Sequence, residues 1–367
     1  MMILKIMSKL VGALVCAACL FLSVSCAPTT ERGPAEVAYE LRINGKLDEA
    51  KQVLEDALSQ DPGYADGHYE LARVKSHMAF GDPRQTENLL TEALQSINRA
   101  VALDSSSVIY TFFAGHVHFV RAFFAMHMGE ADAAERAARS CDSFTAALRL
   151  DPDYREAMLY LVELYGVLPV EMGGDRSKAE VYRTELAAKD EIYGMKARSI
   201  LSEVGVADWK ELYEKHPGNT DVLEELGKAY LRKGNVAEAD KFFEEAVAID
   251  SSQVILFLDL GRYHFGSALE IMESEEQETL QRHWAAAESA ILRYLESEHP
   301  APMKAYALRM LSKVKHGTGD KGEGDNLKAE AKALDPFHSR ATGNPPAVLF
   351  TPPGMIEHDH RYLMRPF

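Results

Sequence analysis

The sequence predicts an all-α body, a solenoid of antiparallel helix pairs, and three observations carry that prediction. The first is self-similarity: small and large apolar residues recur at matching offsets in units of about 34 residues. The second is punctuation: Asp61-Pro62, Asp104-Ser105, Asp151-Pro152, His216-Pro217, Asp250-Ser251 and Asp335-Pro336 close successive helical stretches. The third is composition: the 367 residues are 47% apolar and 26% charged, enough to bury a core, and hold only four cysteines. A helix pair leaves an apolar face that only a neighbouring pair can cover, so several must stack. Residues 34–336 therefore read as one array rather than as separate globular domains.

The clearest unit runs from Thr220 to Gln253. Counted from Thr220, it places Leu223, Leu226, Gly227, Tyr230, Ala239, Phe243 and Ala246 at positions 4, 7, 8, 11, 20, 24 and 27. Small residues at 8, 20 and 27 let two helices approach, large ones at 7, 11 and 24 fill the space between, and Lys233-Gly234-Asn235 supplies the turn. Residues 31–64 repeat the scheme with Ala50, Leu54 and Ala57 and a turn at Asn44-Gly45-Lys46. The next unit starts at Ala65, with Leu71, Ala72, Ala93, Ile97 and Ala100, and carries extra residues around Phe80–Thr91. A third, with a comparable insertion, starts at Val108 and contains Ala114, Gly115, Phe144 and Ala147. A fourth starts at Arg155 with Leu161, Tyr165 and Ala179, interrupted by Leu168–Gly174. The pattern then weakens over about 190–216, a possible joint, before the clear unit and two further pairs over 254–298 and 301–335.

The residues of the 220–253 unit resemble the tetratricopeptide repeat (TPR), lacking only its Trp at position 4 and its Pro at position 32. The resemblance implies a TPR-type α-α superhelix whose first helices line a concave groove, through positions 2, 5, 9, 12 and 13. Position 9 carried through the units gives Tyr39, Arg73, His116, Glu163, Lys228 and Arg262, and neighbouring groove positions give Tyr69, His77, Phe112, Phe119, Glu224 and Arg232. This mostly aromatic and cationic face suits an extended, carboxylate-bearing segment of a partner protein. The Lys/Asn carboxylate clamp of some chaperone-binding relatives is not reproduced. The same positions can also be read as contacts between neighbouring helices.

The two ends differ from the body. Residues 1–25 carry Lys5 and Lys9, no acid, and then the apolar run Leu10–Val24, which is short for a membrane span and has the form of a secretory signal. Its ending, Leu22-Ser23-Val24-Ser25-Cys26, resembles a bacterial lipoprotein signal, with Ser23 where Leu is usual and Cys19 as the rival site. The resemblance implies lipid attachment at Cys26, a linker over 26–33, and, with Ala27 rather than Asp next, an outer-membrane location facing the periplasm. Ordinary cleavage and a retained anchor are the alternatives. Beyond Pro336, residues 337–367 hold five prolines and read as an extended tail, lying on the last repeats or docking elsewhere.

The formal charge of −16 argues against a general nucleic-acid binder, which needs clustered Lys and Arg. No phosphate-binding glycine loop, nucleophile elbow or plausible cysteine nucleophile occurs, since Cys141 lies in an apolar helix. His358-Asp359-His360 is the nearest approach to a metal motif and lacks further ligands. The expectation is a non-enzymatic, membrane-anchored scaffold lipoprotein of the bacterial envelope, without cofactor or metal, binding envelope proteins through its groove. The second expectation is a small-ligand or transporter-accessory lipoprotein with a pocket among His77, Phe112, His116 and Phe119.

Overall fold

The computed structural model describes residues 32–337, apart from 82–83, 203 and 274–275. The signal-like segment, Cys26 and the tail beyond Phe337, with His358-Asp359-His360, lie outside the described residues. Within them the chain is helical, with no strand. Sixteen α-helices follow one another: α1 (Pro34–Ile43), α2 (Leu47–Gln60), α3 (Ala65–Ala79), α4 (Thr86–Leu103), α5 (Val108–Met128), α6 (Ala133–Leu150), α7 (Arg155–Val167), α8 (Arg176–Lys189), α9 (Glu191–Leu201), α10 (Val206–Lys215), α11 (Thr220–Arg232), α12 (Val236–Ile249), α13 (Leu256–Glu270), α14 (Gln277–Leu295), α15 (Ala301–Thr318) and α16 (Lys321–Leu334). Successive odd and even helices pack as pairs, except that α9 packs on α7 and α8 and α10 packs on α11, and neighbouring pairs pack on one another.

The pairing follows from the small and large positions. A side chain at Gly115 or Gly227 would overlap the ring of Phe144 or Phe243, the large residue on the second helix of the same pair. Ala147 and Ala246 are fully buried beside them. Turns are set by capping: the Asn235 side chain accepts from the Glu238 N–H at the start of α12, one residue after Gly234 at φ +71°. First and second helices differ in burial. On α11, Val222, Leu223, Glu224, Leu226, Gly227, Ala229, Tyr230 and Leu231 are buried, whereas α12 buries only Ala239, Phe243 and Ala246. The first helix is thus packed on several sides and the second shows one apolar stripe to the core.

The weakly patterned stretch over 190–216 holds two short helices, of which α9 packs back on α7 and α8 and α10 packs forward on α11. Arg198 pairs with Asp208 at 3.0 Å and Lys215 with Glu191 at 2.7 Å, so α9 and α10 run antiparallel. Buried Lys196 reaches Asp221 of α11 at 3.2 Å, and Ile192 and Met195 join the core formed by the later pairs. The helices have only 11 and 10 residues, too short to display the full spacing of the longer units.

The end of the array docks on its beginning. His77 Nε2 on α3 lies 2.7 Å from Asp335 Oδ2, both side chains buried, across 258 residues of sequence. Gly45, at φ +77°, faces the Leu334 carbonyl so closely that any Cβ would overlap it. A Cβ at Gly81 would meet Phe337 at 2.6 Å, and Phe337 itself packs with the apolar cluster of α1–α3. Phe337, the one described residue of the tail, packs its side chain on the first repeats, and its N–H donates to Asp335 at the end of the last.

Candidate partner-binding site

Most of the sequence-predicted groove residues in the first half of the array are interior. Arg42 Nε donates to Glu70 Oε1 at 2.7 Å and Arg73 Nη1 donates to Glu70 Oε2 at 3.0 Å, with all three side chains wholly buried. The Arg42 and Arg73 guanidiniums lie 5.5 and 5.7 Å from the half-buried Tyr39 ring, and Arg73 lies 5.2 Å from Tyr69. Tyr69 stands edge-on to Phe113. This knot ties α1 to α3 and α3 to α5, so Tyr69 and Arg73 are not free to grip a partner, and Tyr39 shares their contacts. Burial pushes the Tyr69 phenol upward and the Arg42 guanidinium downward, with Glu70 opposing the latter.

The pocket expected among His77, Phe112, His116 and Phe119 is corrected in the same way. His77 is engaged by Asp335. Phe112 packs against Phe144, Tyr154 and Tyr160, with ring centroids 4.7–5.7 Å apart. His116 Nδ1 contacts Tyr160 Oη at 3.2 Å, and the partly buried Phe119 is edge-on to Tyr160. Burial lowers His116 to about 4, so its ring is neutral near pH 7. Aromatic side chains of α6 and α7 fill this space; it is core. Apolar α5 is long enough to cross a membrane, and its most apolar window is 67% buried in the body.

The second half of the array keeps an open cationic face. Lys228 on α11 lies 2.5 Å from buried Glu224; burial opposes its charge, but Glu224, Glu225 and Asp259 outweigh that and raise its pKa. Arg262 on α13 sits 3.6 Å from Asp259. One helical turn along, α11, α13 and α15 enclose a cavity of about 760 Å³. Its charged lining is Arg232, Arg262, Arg309, Lys313 and Glu270, and Leu231, Tyr263, Phe265, Tyr306 and Met310 supply the apolar lining. Four cations against one acid make this a positive site in an acidic chain. Burial and, second, Arg309 lower the Lys313 pKa, and its ammonium lies 6.0 Å from the Phe265 ring. Burial raises Tyr306 to about 12, with Arg262 opposing.

Arg232 and Arg262, both singled out from the sequence, line one cavity with Arg309 and Lys313, which the sequence reading did not name. The signal was present: counted from Ala301, they stand at positions 9 and 13 of the last pair, where Lys228 and Arg232 stand in the unit from Thr220. Cys141 is buried, which pushes its thiol up to about 11 and makes it a poor nucleophile. Among the described residues no group of three metal-ligating side chains is assembled.

Residues 202–254 match the family model described as tetratricopeptide repeat. No curated protein matches the chain. Among solved structures, a tetratricopeptide repeat protein from Parabacteroides merdae is similar over 82% of this chain and 91% of its own, at 14% identity and TM-score 0.36. A thermophilic TPR protein of Thermus thermophilus is similar over 63% of this chain and 95% of its own, at 19% identity and TM-score 0.37. YrrB, a TPR protein with an unusual peptide-binding site, covers 55% of this chain and 95% of its own, at 18% identity and TM-score 0.29. The family match covers 202–254 alone, and the packed helix pairs carry the fold beyond it.

Proposed function

We propose, from the premise that this chain is a tetratricopeptide-repeat protein, that it is a lipid-anchored scaffold of the bacterial cell envelope that holds a protein partner and turns over no substrate. A helix-pair array suits a protein-interaction role, because its first helices present side chains in register along one face. The observation that carries the reading is the cationic cavity between α11, α13 and α15, a concentration of positive charge that an acidic chain would not assemble for solubility. Anchoring is supported by the lipoprotein-like ending at Cys26: two or three acyl chains, at roughly 0.8 kcal/mol per buried CH₂, hold a protein stably on a membrane.

Two measurements test the proposal. Cys26→Ser should move the protein from the membrane to the soluble fraction; continued membrane retention would replace the lipid with an uncleaved anchor. Photocrosslinking from an unnatural amino acid at Ser267, which lines the cavity, should trap a defined protein in intact cells. Crosslinks to no protein would remove the scaffold role.

A further inference from the structure

We infer that His264 and His283 form a two-imidazole chelate for a late divalent transition ion, copper(II) foremost, that clamps α13 to α14. His264 faces α14 rather than the cationic cavity, so this site is separate from the partner-binding surface.

The length of the helix pair creates the juxtaposition. A Cβ at Gly261 would press on Ile291 as one at Gly227 would press on Phe243, so the α13–α14 pair follows the register of the α11–α12 pair. In that register His264 stands where Tyr230 stands, a large side chain between the two helices. His283 stands where Asn235 caps the start of α12. The second helix here has 19 residues against 14, and the extra turns at its start carry His283 alongside α13. The neighbouring residues hold the approach: Phe265 is 5.6 Å from the buried Trp284, ring centroid to ring centroid.

The distance between the two rings suits a bound ion. His264 Nδ1 lies 3.0 Å from His283 Nδ1. Two nitrogens bonded to one ion at about 2.0–2.1 Å stand about 2.9 Å apart at a right angle and about 3.3 Å apart at the tetrahedral angle. The observed spacing is on the right-angle side, the tetragonal geometry of copper(II) and nickel(II), and copper(II) heads the affinity order at nitrogen ligands. Without an ion, one of the two Nδ1 atoms must carry a proton for the contact to attract; with one, both rings hold their proton on Nε2 and turn both Nδ1 lone pairs to the metal. His264 is buried and fixed, while the half-buried His283 gives the ion access from solvent, and water fills its other positions. Asp240 of α12 bears on His264 as a negative charge, but its own partner is Arg293, at 2.7 Å, so the imidazoles carry the binding.

The test uses the full-length, detergent-solubilised protein with His358→Ala and His360→Ala, so that the tail supplies no imidazole. Titration with copper(II) alone should show one tight equivalent, with electron paramagnetic resonance coupling to two imidazole nitrogens and a raised thermal unfolding midpoint. His283→Ala, at a half-buried position, should lose at least tenfold in affinity and one of the two nitrogen couplings, with an unchanged helical CD signal. His264→Gln, close in size, should do the same, and neither variant should gain thermal stability from copper. Two-nitrogen coupling that survives in both variants would place the ion elsewhere and overturn the assignment. So would destabilisation by His283→Ala in a protein whose parent binds no copper, which would leave the two rings a hydrogen-bonded pair and nothing more.

Discussion

Glu70 lies between the buried guanidiniums of Arg42 and Arg73, its two oxygens each accepting from one of them. Removing one partner from such a group leaves charge stranded in the interior, which costs about 3–5 kcal/mol. Glu70→Ala should therefore lower unfolding stability by roughly that amount, read as a shift in the urea midpoint, and a change below about 1 kcal/mol would show the two arginines to be solvated. Histidines give the pH dependence. Burial holds His116, His118 and His264 at about 4, below their ordinary 6.5, with Arg121 adding to it at His118 and His283 at His264. The unfolded chain thus binds more protons between pH 6.5 and 4, so stability is full above 6.5 and falls as the pH drops through that window. For His116 the loss at pH 5 is on the order of 2 kcal/mol. His116→Asn should flatten the melting-temperature profile between pH 7 and 5, at some cost at pH 7 from the lost Tyr160 contact.

At the level of the helix pair, spacing predicted contact. Gly115 against Phe144 and Gly227 against Phe243 are the sequence's small and large positions meeting as expected. Gly227→Val should force the Phe243 ring from its place and destabilise the body by about 1–3 kcal/mol or more, measured by denaturant unfolding. Near-wild-type stability would mean the pair can spread. Helices α9 and α10 are less legible, because helices of 11 and 10 residues carry too few turns for their apolar positions to stand out. Ion pairs bridge their ends, and Lys196 ties α9 to Asp221 of α11. Such long-range ion pairs have no local spacing to read.

Across the whole array, the contact of Leu334–Phe337 with α1–α3 links the first and last pairs. An array of stacked helix pairs depends on nearest neighbours for stability, so its terminal pairs ordinarily fray first. Here each end covers the other. Gly81→Phe, which cannot fit beside Phe337, should raise hydrogen exchange in both α1–α3 and α16 while leaving α11–α12 protected. Exchange rising at one end alone would show that the contact does not couple them.

The sequence alone determined the helical repeat, the pairing of small with large residues, the turns, and the cationic register that includes Arg232 and Arg262, because each depends on offsets within about 34 residues. Tertiary structure decided which of those register positions are surfaces. Tyr69, Arg73, His77, Phe112 and His116 share the spacing of groove residues, yet neighbouring helices and the far end of the chain enclose them. Arg232, Arg309 and Lys313 have the same spacing and stand around a cavity. Periodicity places a side chain on a face of its own helix; whether that face meets solvent depends on residues as much as 258 positions away.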